Sequence, residues 1–193
     1  ESLYFSFYPK NFSITLVDDN SSVKTKGLYK FPDLNYIHNA SRKGVDGSRD
    51  IGVASTNLPY IFIVDAHMRF NPGWDKTLIE ILEKYPNSLV CGTSRVLHYT
   101  MREMEGAKRV AEGANLVWKE KKKKNIVDVK WRENTPESSR KPVEEIQAVL
   151  GACYGITQKW YRFLKGFEGL EKYGSSEAYI SIKNHLAGGK TLL

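Results

Sequence analysis

Cysteine and long apolar segments are both scarce in this sequence of 193 residues. The two cysteines, Cys91 and Cys153, each lie in an apolar, strand-like run, and two are too few for a disulfide framework. No apolar run approaches the roughly 20 residues that span a bilayer, and no signal peptide is visible. We therefore expect buried free thiols in a soluble domain without a membrane segment, with the cytoplasm favoured. Because the chain begins at Glu1 rather than at a methionine, we expect a fragment from which targeting segments could be missing.

Basic residues exceed acidic ones, but the excess is local. The chain has 29 Lys and Arg against 22 Asp and Glu, a net charge of +7. Residues 119–132 include seven basic and two acidic residues, a net charge of +5. A basic surface over the whole protein, typical of nucleic-acid-binding domains, is therefore not indicated. The stretch is either a solvated loop tip or a patch that attracts a polyanionic acceptor, such as DNA or an acidic polymer.

Hydrophobic periodicity in the first half of the chain predicts alternating strands and helices. Strands are predicted at four apolar runs, residues 13–17, 34–38, 60–64 and 88–92. Helical spacing of apolar residues follows the second run, over 47–58, and the third run, over 74–85. This order predicts an α/β fold in which a mostly parallel sheet has helices on both faces. We assign residues 1–193 to a single domain.

The regular pattern stops at about residue 95 and resumes near residue 147. Residues 95–145 are polar, charged and weakly periodic, and an excursion of this length is usually functional or partly disordered. An apolar strand is predicted within 147–156, and two helices follow it. The last three residues resemble the start of a strand, so we expect the domain to continue beyond Leu193.

Polar residues that could perform chemistry follow two of the predicted strands. Asp18 and Asp19 follow the first strand, where they could also form an ordinary turn. Asp65 and His67 follow the most apolar strand, and an extended segment places alternate residues on the same side. An Asp oxygen with a His nitrogen suits a borderline metal such as Mn²⁺, although a structural polar pair is the alternative. Ligands of open α/β sheets bind at these carboxyl ends, so we expect a nucleotide at the first pair and a metal-bound diphosphate at the second.

Five motifs follow one another in order along the chain. They are Asp-Asp-Asn-Ser-Ser at 18–22, Gly-Ser-Arg-Asp-Ile-Gly-Val-Ala at 47–54, Asp-Ala-His at 65–67, Gly-Trp at 73–74 with Leu-Val-Cys at 89–91, and Gly-Ala-Cys-Tyr-Gly-Ile at 151–156 with Gly-Ser-Ser-Glu at 174–177. This series resembles the family 2-type glycosyltransferases of the GT-A fold, and most closely the polypeptide N-acetylgalactosaminyltransferases. The resemblance covers about 140 of the 193 residues and skips residues 95–145. It implies a GT-A sheet and a metal-dependent transfer of a sugar from a nucleotide-sugar, for which a UDP-sugar is the expected donor.

The resemblance also implies roles for individual residues on the donor side. Asp18 or Asp19 would contact the uracil and ribose of the UDP-sugar. Asp65 and His67 would hold Mn²⁺, or another divalent cation, on the diphosphate. Arg49 would orient the donor or the first acidic pair, although it could also be an ordinary helix-surface residue.

On the acceptor side the resemblance is less complete. Glu177 would lie near the sugar or the acceptor as a catalytic residue, and residues 95–145 would face the acceptor, with Trp118 and Trp131 as stacking surfaces. Inverting relatives often have an Asp directly after that Glu, where this chain has Ala178. Its absence favours retention of the anomeric configuration, although Glu177 could itself be a base. The family usually has a further His ligand beyond the point corresponding to Leu193.

Other interpretations of the sequence remain open. One is a glycosyltransferase that modifies DNA bases and holds the phosphate backbone with residues 119–132. Another is a nucleotidyltransferase, but such enzymes have a glycine-rich basic loop where this chain has Asp-Asp-Asn-Ser-Ser. A third is a binding module with a glycosyltransferase fold and no activity.

Overall fold

The computed structural model describes residues 12–22, 34–95, 110–121, 124–133, 142–170 and 174–193. Within these ranges the strands are β1 (Ile14–Asp18), β2 (Leu34–His38), β3 (Tyr60–Val64), β4 (Ser88–Cys91), β5 (Ser94–Arg95), β6 (Val110–Lys121), β7 (Lys124–Glu133), β8 (Cys153–Thr157) and β9 (Lys190–Leu192). The helices are α1 (Gly44–Ala54), α2 (Trp74–Lys84), α3 (Gln158–Leu164) and α4 (Ser176–Leu186). The α/β class is confirmed. The strand expected within 147–156 is confirmed only in its second half, as β8.

The sheets combine parallel and antiparallel pairs. Strands β1 and β2 pair in parallel, as expected. The central sheet has the order β3-β8-β4-β9, in which β4 and β9 are parallel. Strand β8 runs antiparallel to both β3 and β4, so three of the four central strands run in one direction and β8 opposes them. Three strands therefore share one direction, as the prediction of a mostly parallel sheet requires. The reversed strand β8 makes the sheet a mixed one.

Helices cover both faces of the central sheet, as the sequence predicts. On β4, Leu89 belongs to an apolar cluster with Trp160 of α3 and Ile180 of α4. The next residue, Val90, points to the opposite face and packs with Leu82 of α2. Leu82, Leu89, Val90 and Ile180 are completely buried. This alternation along one strand explains why β4 is apolar at every position except its first.

Residues 95–145, which the sequence predicts to be partly irregular, contain regular strands in the part that the structure describes. Strands β6 and β7 form a long antiparallel hairpin, and β5 pairs with the start of β6. A register shift between Ala111 and Ala114 includes Gly113, whose φ is 70°. Apolar residues do alternate at Ala114, Leu116 and Trp118 and at Val127, Val129 and Trp131, but the charged run 119–124 between the two sets hid the period of two. Residues 96–109 and 134–141 lie outside the described residues.

The end of the chain is fixed to the sheet by one buried side chain. Asn184 of α4 is completely buried, accepts a hydrogen bond from Trp160 Nε1 at 2.7 Å and donates one to the Lys190 carbonyl at 2.9 Å. A Cβ at Gly189 would overlap both Asn184 and the Asn87 carbonyl, so only glycine fits between them. The strand expected over the last three residues is therefore confirmed as β9, held against β4.

Both cysteines are free and buried, as expected. Burial raises the pKa of Cys91 to about 11 and that of Cys153 to about 12. None of the four helices in the described ranges has the length and apolar character needed to cross a membrane.

Candidate functional site

A cleft of about 570 Å³ opens where α1, the end of β3, the hairpin and the start of α4 meet. Its lining residues are Val45, Arg49, Asp65, Ser94, Arg95, Ala111, Trp131, Leu150, Gly151, Ala152, Gly174, Ser175, Ser176 and Glu177. A volume of this size is in the range of small-molecule sites, and its wall combines one carboxylate from β3 with one from α4. The cleft thus joins parts of the chain that are more than 100 residues apart.

The structure brings four of the eight candidate site residues into this cleft. Arg49, Asp65, Trp131 and Glu177 line it. The other four, Asp18, Asp19, His67 and Trp118, are not among the lining residues.

Asp18 lies at the end of β1 and is nearly fully hydrogen-bonded. Its Oδ2 accepts a hydrogen bond from the Tyr36 hydroxyl at 2.6 Å and lies 3.2 Å from His38 Nδ1, and its Oδ1 accepts one from the Ser21 backbone N–H at 2.8 Å. The Tyr36 hydroxyl, followed by Ser21, holds the pKa of Asp18 well below its usual range. Asp18 is therefore a fixed carboxylate with two aromatic side chains, Tyr36 and His38, beside it.

Asp19 caps the N-terminus of helix α1, a role that the sequence did not indicate. Helix α1 has no side-chain cap of its own, and Asp19 supplies one from the neighbouring segment. Its carboxylate accepts hydrogen bonds from the backbone N–H groups of Lys43 at 2.7 Å and Gly44 at 2.9 Å, and from Asn39 Nδ2 at 3.0 Å. The Lys43 bond is the main reason that the pKa of Asp19 is lowered. The negative charge also suits the positive end of the helix dipole.

Asp65 and His67 follow β3 at the edge of the central sheet. The Asp65 backbone N–H donates to the Ala152 carbonyl at 2.9 Å, which fixes the end of β3 against the loop before β8. Asp65 is half-buried and His67 is exposed. An oxygen and a nitrogen donor fit a borderline divalent cation such as Mn²⁺. Among the described residues, no group of three His, Cys, Asp or Glu side chains could hold a metal ion.

Arg49 is a largely buried cation in the wall of the cleft. Its side chain is 14% exposed, and its Nη1 donates a hydrogen bond to Asp46 Oδ1 at 3.2 Å. The guanidinium carbon lies 5.5 Å from the centre of the Phe167 ring, within cation–π distance. Burial alone lowers the pKa of Arg49, but Tyr154, Asp46, Glu177 and Asp65 together leave it raised. Arg49 therefore belongs to the site and is not an ordinary surface residue.

Glu177 lies in the first turn of α4 and lines the same cleft as Asp65. Its carboxylate packs directly against Gly151, where a Cβ would overlap it. The residue before it, Ser176, is buried and donates a hydrogen bond through Oγ to Asp46 Oδ2 at 3.0 Å. Helix α4 has no side-chain cap at Ser175, so this bond and the Gly151 contact fix the turn that presents Glu177.

Trp118 and Trp131 lie on one face of the hairpin. The register pairs Ala114 with Trp131 and Trp118 with Val127, so the two tryptophans are on the same side of the ribbon. Trp131 is 42% exposed at the cleft, and Trp118 is 78% exposed farther along the ribbon. An apolar face therefore leads from the cleft toward the tip of the hairpin.

Three residues in or beside the site were not singled out from the sequence: Ser176, which lines the cleft, and Asp46 and Tyr154, which do not. Asp46 lay just outside the predicted helix, which began at Gly47. Its spacing of three residues from Arg49 was the available signal. Tyr154 is a buried aromatic residue of the core. Its hydroxyl is fully buried, and among the described residues it has no hydrogen-bond partner.

Comparisons with known proteins agree on one family. A model of the glycosyl transferase family 2 domain matches residues 2–140. Polypeptide N-acetylgalactosaminyltransferase 10 of Rattus norvegicus is 24% identical over 162 residues, which are 83% of this chain and 26% of that protein. Polypeptide N-acetylgalactosaminyltransferase 18 of Homo sapiens is 25% identical over 191 residues, covering 91% of this chain and 30% of that protein.

Among solved structures, the crystal structure of GalNAc-T7 with UDP, GalNAc and Mn²⁺ is similar, with a TM-score of 0.71 and 21% sequence identity. The match covers 93% of this chain and 35% of that one, and it confirms the predicted GT-A fold. The chain thus spans about a quarter to a third of the length of the relatives it matches.

Proposed function

The chain belongs to glycosyl transferase family 2, and we propose that it transfers a sugar from a UDP-sugar to an acceptor with the help of a divalent cation. The observation that carries this proposal is the cleft itself, in which Asp65 at the end of β3, Glu177 of α4 and the cation of Arg49 face one space. The GalNAc-T7 structure with UDP, GalNAc and Mn²⁺ supports UDP-N-acetylgalactosamine as the first donor to test.

Asp65 and His67 are the residues that would hold the cation. A divalent cation at this position supplies positive charge against the diphosphate as it leaves. Coordination positions that these residues leave open would be available to phosphate oxygens and water. Arg49 adds a permanent positive charge near Asp65, which favours an anionic donor in the cleft.

The end of β1 is the proposed binding site for the nucleoside. The pKa of Asp18 is lowered, and its carboxylate is a hydrogen-bond acceptor such as a ribose hydroxyl or a uracil N–H would require. Tyr36 is 40% exposed beside it and offers a ring against which a base can stack. Asp19 supports the same corner by holding the start of α1.

Glu177 and the hairpin form the proposed acceptor side. Glu177 is the carboxylate that faces the sugar, either as a hydrogen-bond acceptor or as a base. Trp131 in the cleft and Trp118 beyond it offer flat apolar surfaces to an acceptor. Because Ala178 stands where inverting relatives often have an Asp, we propose that the anomeric configuration is retained.

Calorimetric titration of UDP, with and without Mn²⁺, tests the donor site. The native chain is expected to bind UDP more tightly with Mn²⁺, and Asp65→Ala is expected to abolish the Mn²⁺ effect. Glu80→Ala is the matched control, since Glu80 is an exposed carboxylate of α2 whose ion pair with Lys76 is 3.9 Å long. Unaltered binding in Asp65→Ala would show that the cation is held elsewhere.

Product analysis then separates the reaction classes. Release of UDP from UDP-N-acetylgalactosamine supports sugar transfer, whereas release of pyrophosphate from a nucleoside triphosphate would indicate nucleotidyl transfer. UDP binding without any turnover across a panel of donors and acceptors would indicate a binding module. Acceptor binding that weakens steeply with salt would favour a DNA acceptor on residues 119–132, because each released counterion adds to the salt dependence.

A further inference from the structure

We infer that Asp46 is a positioning residue that fixes Arg49 and Glu177 relative to each other from beneath the cleft. Asp46 lies in the first turn of α1 and is only 4% exposed. It is not among the residues that line the cleft, so it acts through its neighbours. The inference rests on the proposed function, because it concerns the geometry of the same site.

The two oxygens of the Asp46 carboxylate accept hydrogen bonds from two different helices, α1 and α4. Oδ1 accepts from Arg49 Nη1 at 3.2 Å, within α1. Oδ2 accepts from Ser176 Oγ at 3.0 Å, in the first turn of α4. Ser176 and Glu177 are consecutive, so any shift of the Ser176 hydroxyl moves the backbone that carries Glu177. One buried carboxylate thereby sets the separation between the cation and the carboxylate of the cleft.

Contacts on the other side of Arg49 and Glu177 make this arrangement specific. The Phe167 ring lies behind the Arg49 guanidinium, and Gly151 lies behind the Glu177 carboxylate. Arg49 therefore contacts both Phe167 and Asp46. Glu177 packs against Gly151 and directly follows Ser176, which is bonded to Asp46. Without the carboxylate, Arg49 would lose its paired acceptor while remaining largely buried, and would turn toward Asp65 or Glu177, the remaining acids near it.

Asp50 provides a matched control one turn later in α1. Its Oδ1 accepts hydrogen bonds from the Tyr161 hydroxyl at 2.6 Å and the Phe167 backbone N–H at 3.0 Å. Like Asp46, Asp50 joins α1 to another helical segment through two hydrogen bonds. Neither Asp50 nor its two partners line the cleft. Asp46→Asn and Asp50→Asn are thus the same chemical change, but only Asp46 is bonded directly to Arg49, whereas the Asp50 carboxylate is connected to Arg49 through the backbone of Phe167.

The test compares the initial rate of UDP release from UDP-N-acetylgalactosamine in the presence of Mn²⁺. Asp46→Asn is expected to lower kcat by about tenfold to a hundredfold, since small misplacements of reacting groups have effects of this size. The KM for the donor is expected to change by less than about threefold, because Asp46 does not touch the cleft. Asp50→Asn is expected to keep kcat within about twofold of the native value at a temperature where both variants are folded.

Ser176→Ala keeps the test decisive if Asp46→Asn does not fold. It removes only one hydroxyl and is expected to lower kcat by about threefold to tenfold. In the double variant of Asp46→Asn and Ser176→Ala, the loss is expected to be smaller than the product of the two single losses, because both act through one contact. A kcat unchanged in Ser176→Ala, or equal losses in Asp46→Asn and Asp50→Asn, would overturn the inference.

A measurement independent of turnover separates this inference from the proposed function. The exchange with solvent of the Arg49 Nη1–H protons, which face Asp46, is followed by NMR on the native chain. It is expected to quicken by about tenfold or more in Asp46→Asn and to stay unchanged in Asp50→Asn. If the native chain binds no UDP but this difference is seen, the proposed function is wrong and the positioning of Arg49 stands. If the native chain is active and exchange does not change, the positioning inference is wrong.

Discussion

The carboxylate of Glu177 packs so closely against Gly151 that a single methyl group at position 151 would overlap it. The two residues come from different elements, the loop before β8 and the first turn of α4. Glycine at 151 is therefore part of what determines where Glu177 points, although it contributes no functional group of its own.

Gly151→Ala is expected to reduce UDP release from the UDP-sugar by about tenfold or more while leaving the fold nearly as stable as the native one. The overlapping atoms belong to the end of a flexible side chain, which can move aside at little cost in free energy, but it then leaves its position in the cleft. Gly92→Ala is the matched control, since a Cβ at Gly92 would meet nothing within 4 Å. Equal effects of the two substitutions on turnover would contradict this prediction.

Tyr154→Phe is expected to leave the free energy of unfolding unchanged or raise it by up to about 1 kcal/mol, measured by urea denaturation. The Tyr154 hydroxyl is buried and has no partner among the described residues, so its removal relieves an unsatisfied polar group.

Tyr161→Phe is the control for Tyr154→Phe and is expected to destabilise the fold by about 1.5–3 kcal/mol, because its hydroxyl donates to the Asp50 carboxylate. If Tyr154→Phe lowers the free energy of unfolding as much as Tyr161→Phe does, the Tyr154 hydroxyl has a stabilising contact.

Asp19→Asn is expected to destabilise the protein at pH 7 and to have less effect as the pH falls. The folded pKa of Asp19 is lowered, so its ionised form stabilises the fold above the unfolded pKa of about 3.8 and this contribution is lost as the pH falls through the lower, folded value. At pH 7 the loss should be about 0.5–1 kcal/mol, the lower range for helix caps, because asparagine keeps one acceptor. Urea denaturation at pH 7, 5 and 3 measures it. A difference between the two proteins that grows toward pH 3 would contradict the assignment of Asp19 as an ionised cap.

Cys91 and Cys153 are expected to resist iodoacetamide at pH 7.5 in the native protein and to react fully in urea. Both thiols are buried, and burial raises their pKa values to about 11 and about 12, so almost no thiolate is present. Mass spectrometry after timed labelling measures the modification. Rapid labelling of either thiol in the native state would indicate that β4 and β8 separate readily.

The sequence predicted those parts of the fold whose pattern is local. The apolar run of β3 and the spacing in α2 were visible without any knowledge of the partner elements. The hairpin was not, because the charged run 119–124 separates two short alternating sets whose relation becomes clear only when β6 and β7 are paired. The reversal of β8 likewise depends on neighbours rather than on its own residues.

In the candidate site, too, the sequence predicted the residues of local motifs but not the contacts between distant segments. Arg49, Asp65 and Glu177 were found from motifs in the sequence, and the structure brings them to one cleft. The capping by Asp19 and the bridge through Asp46 could not be predicted, because each joins segments that lie far apart in the chain. Such contacts depend on the tertiary fold, whereas motifs record only neighbours in sequence.

The regular pairing of β6 with β7 means that the reach of the hairpin can change only in discrete steps. Lengthening both strands by two residues would move the tip outward by roughly 7 Å and keep every side chain on its present face. Inserting one residue into each strand between these positions, within 114–118 and 127–131, would turn Trp118 to the opposite face from Trp131. Variation in hairpin length among related chains should therefore occur in even increments per strand, so that an acceptor surface can be extended without any alteration of the cleft.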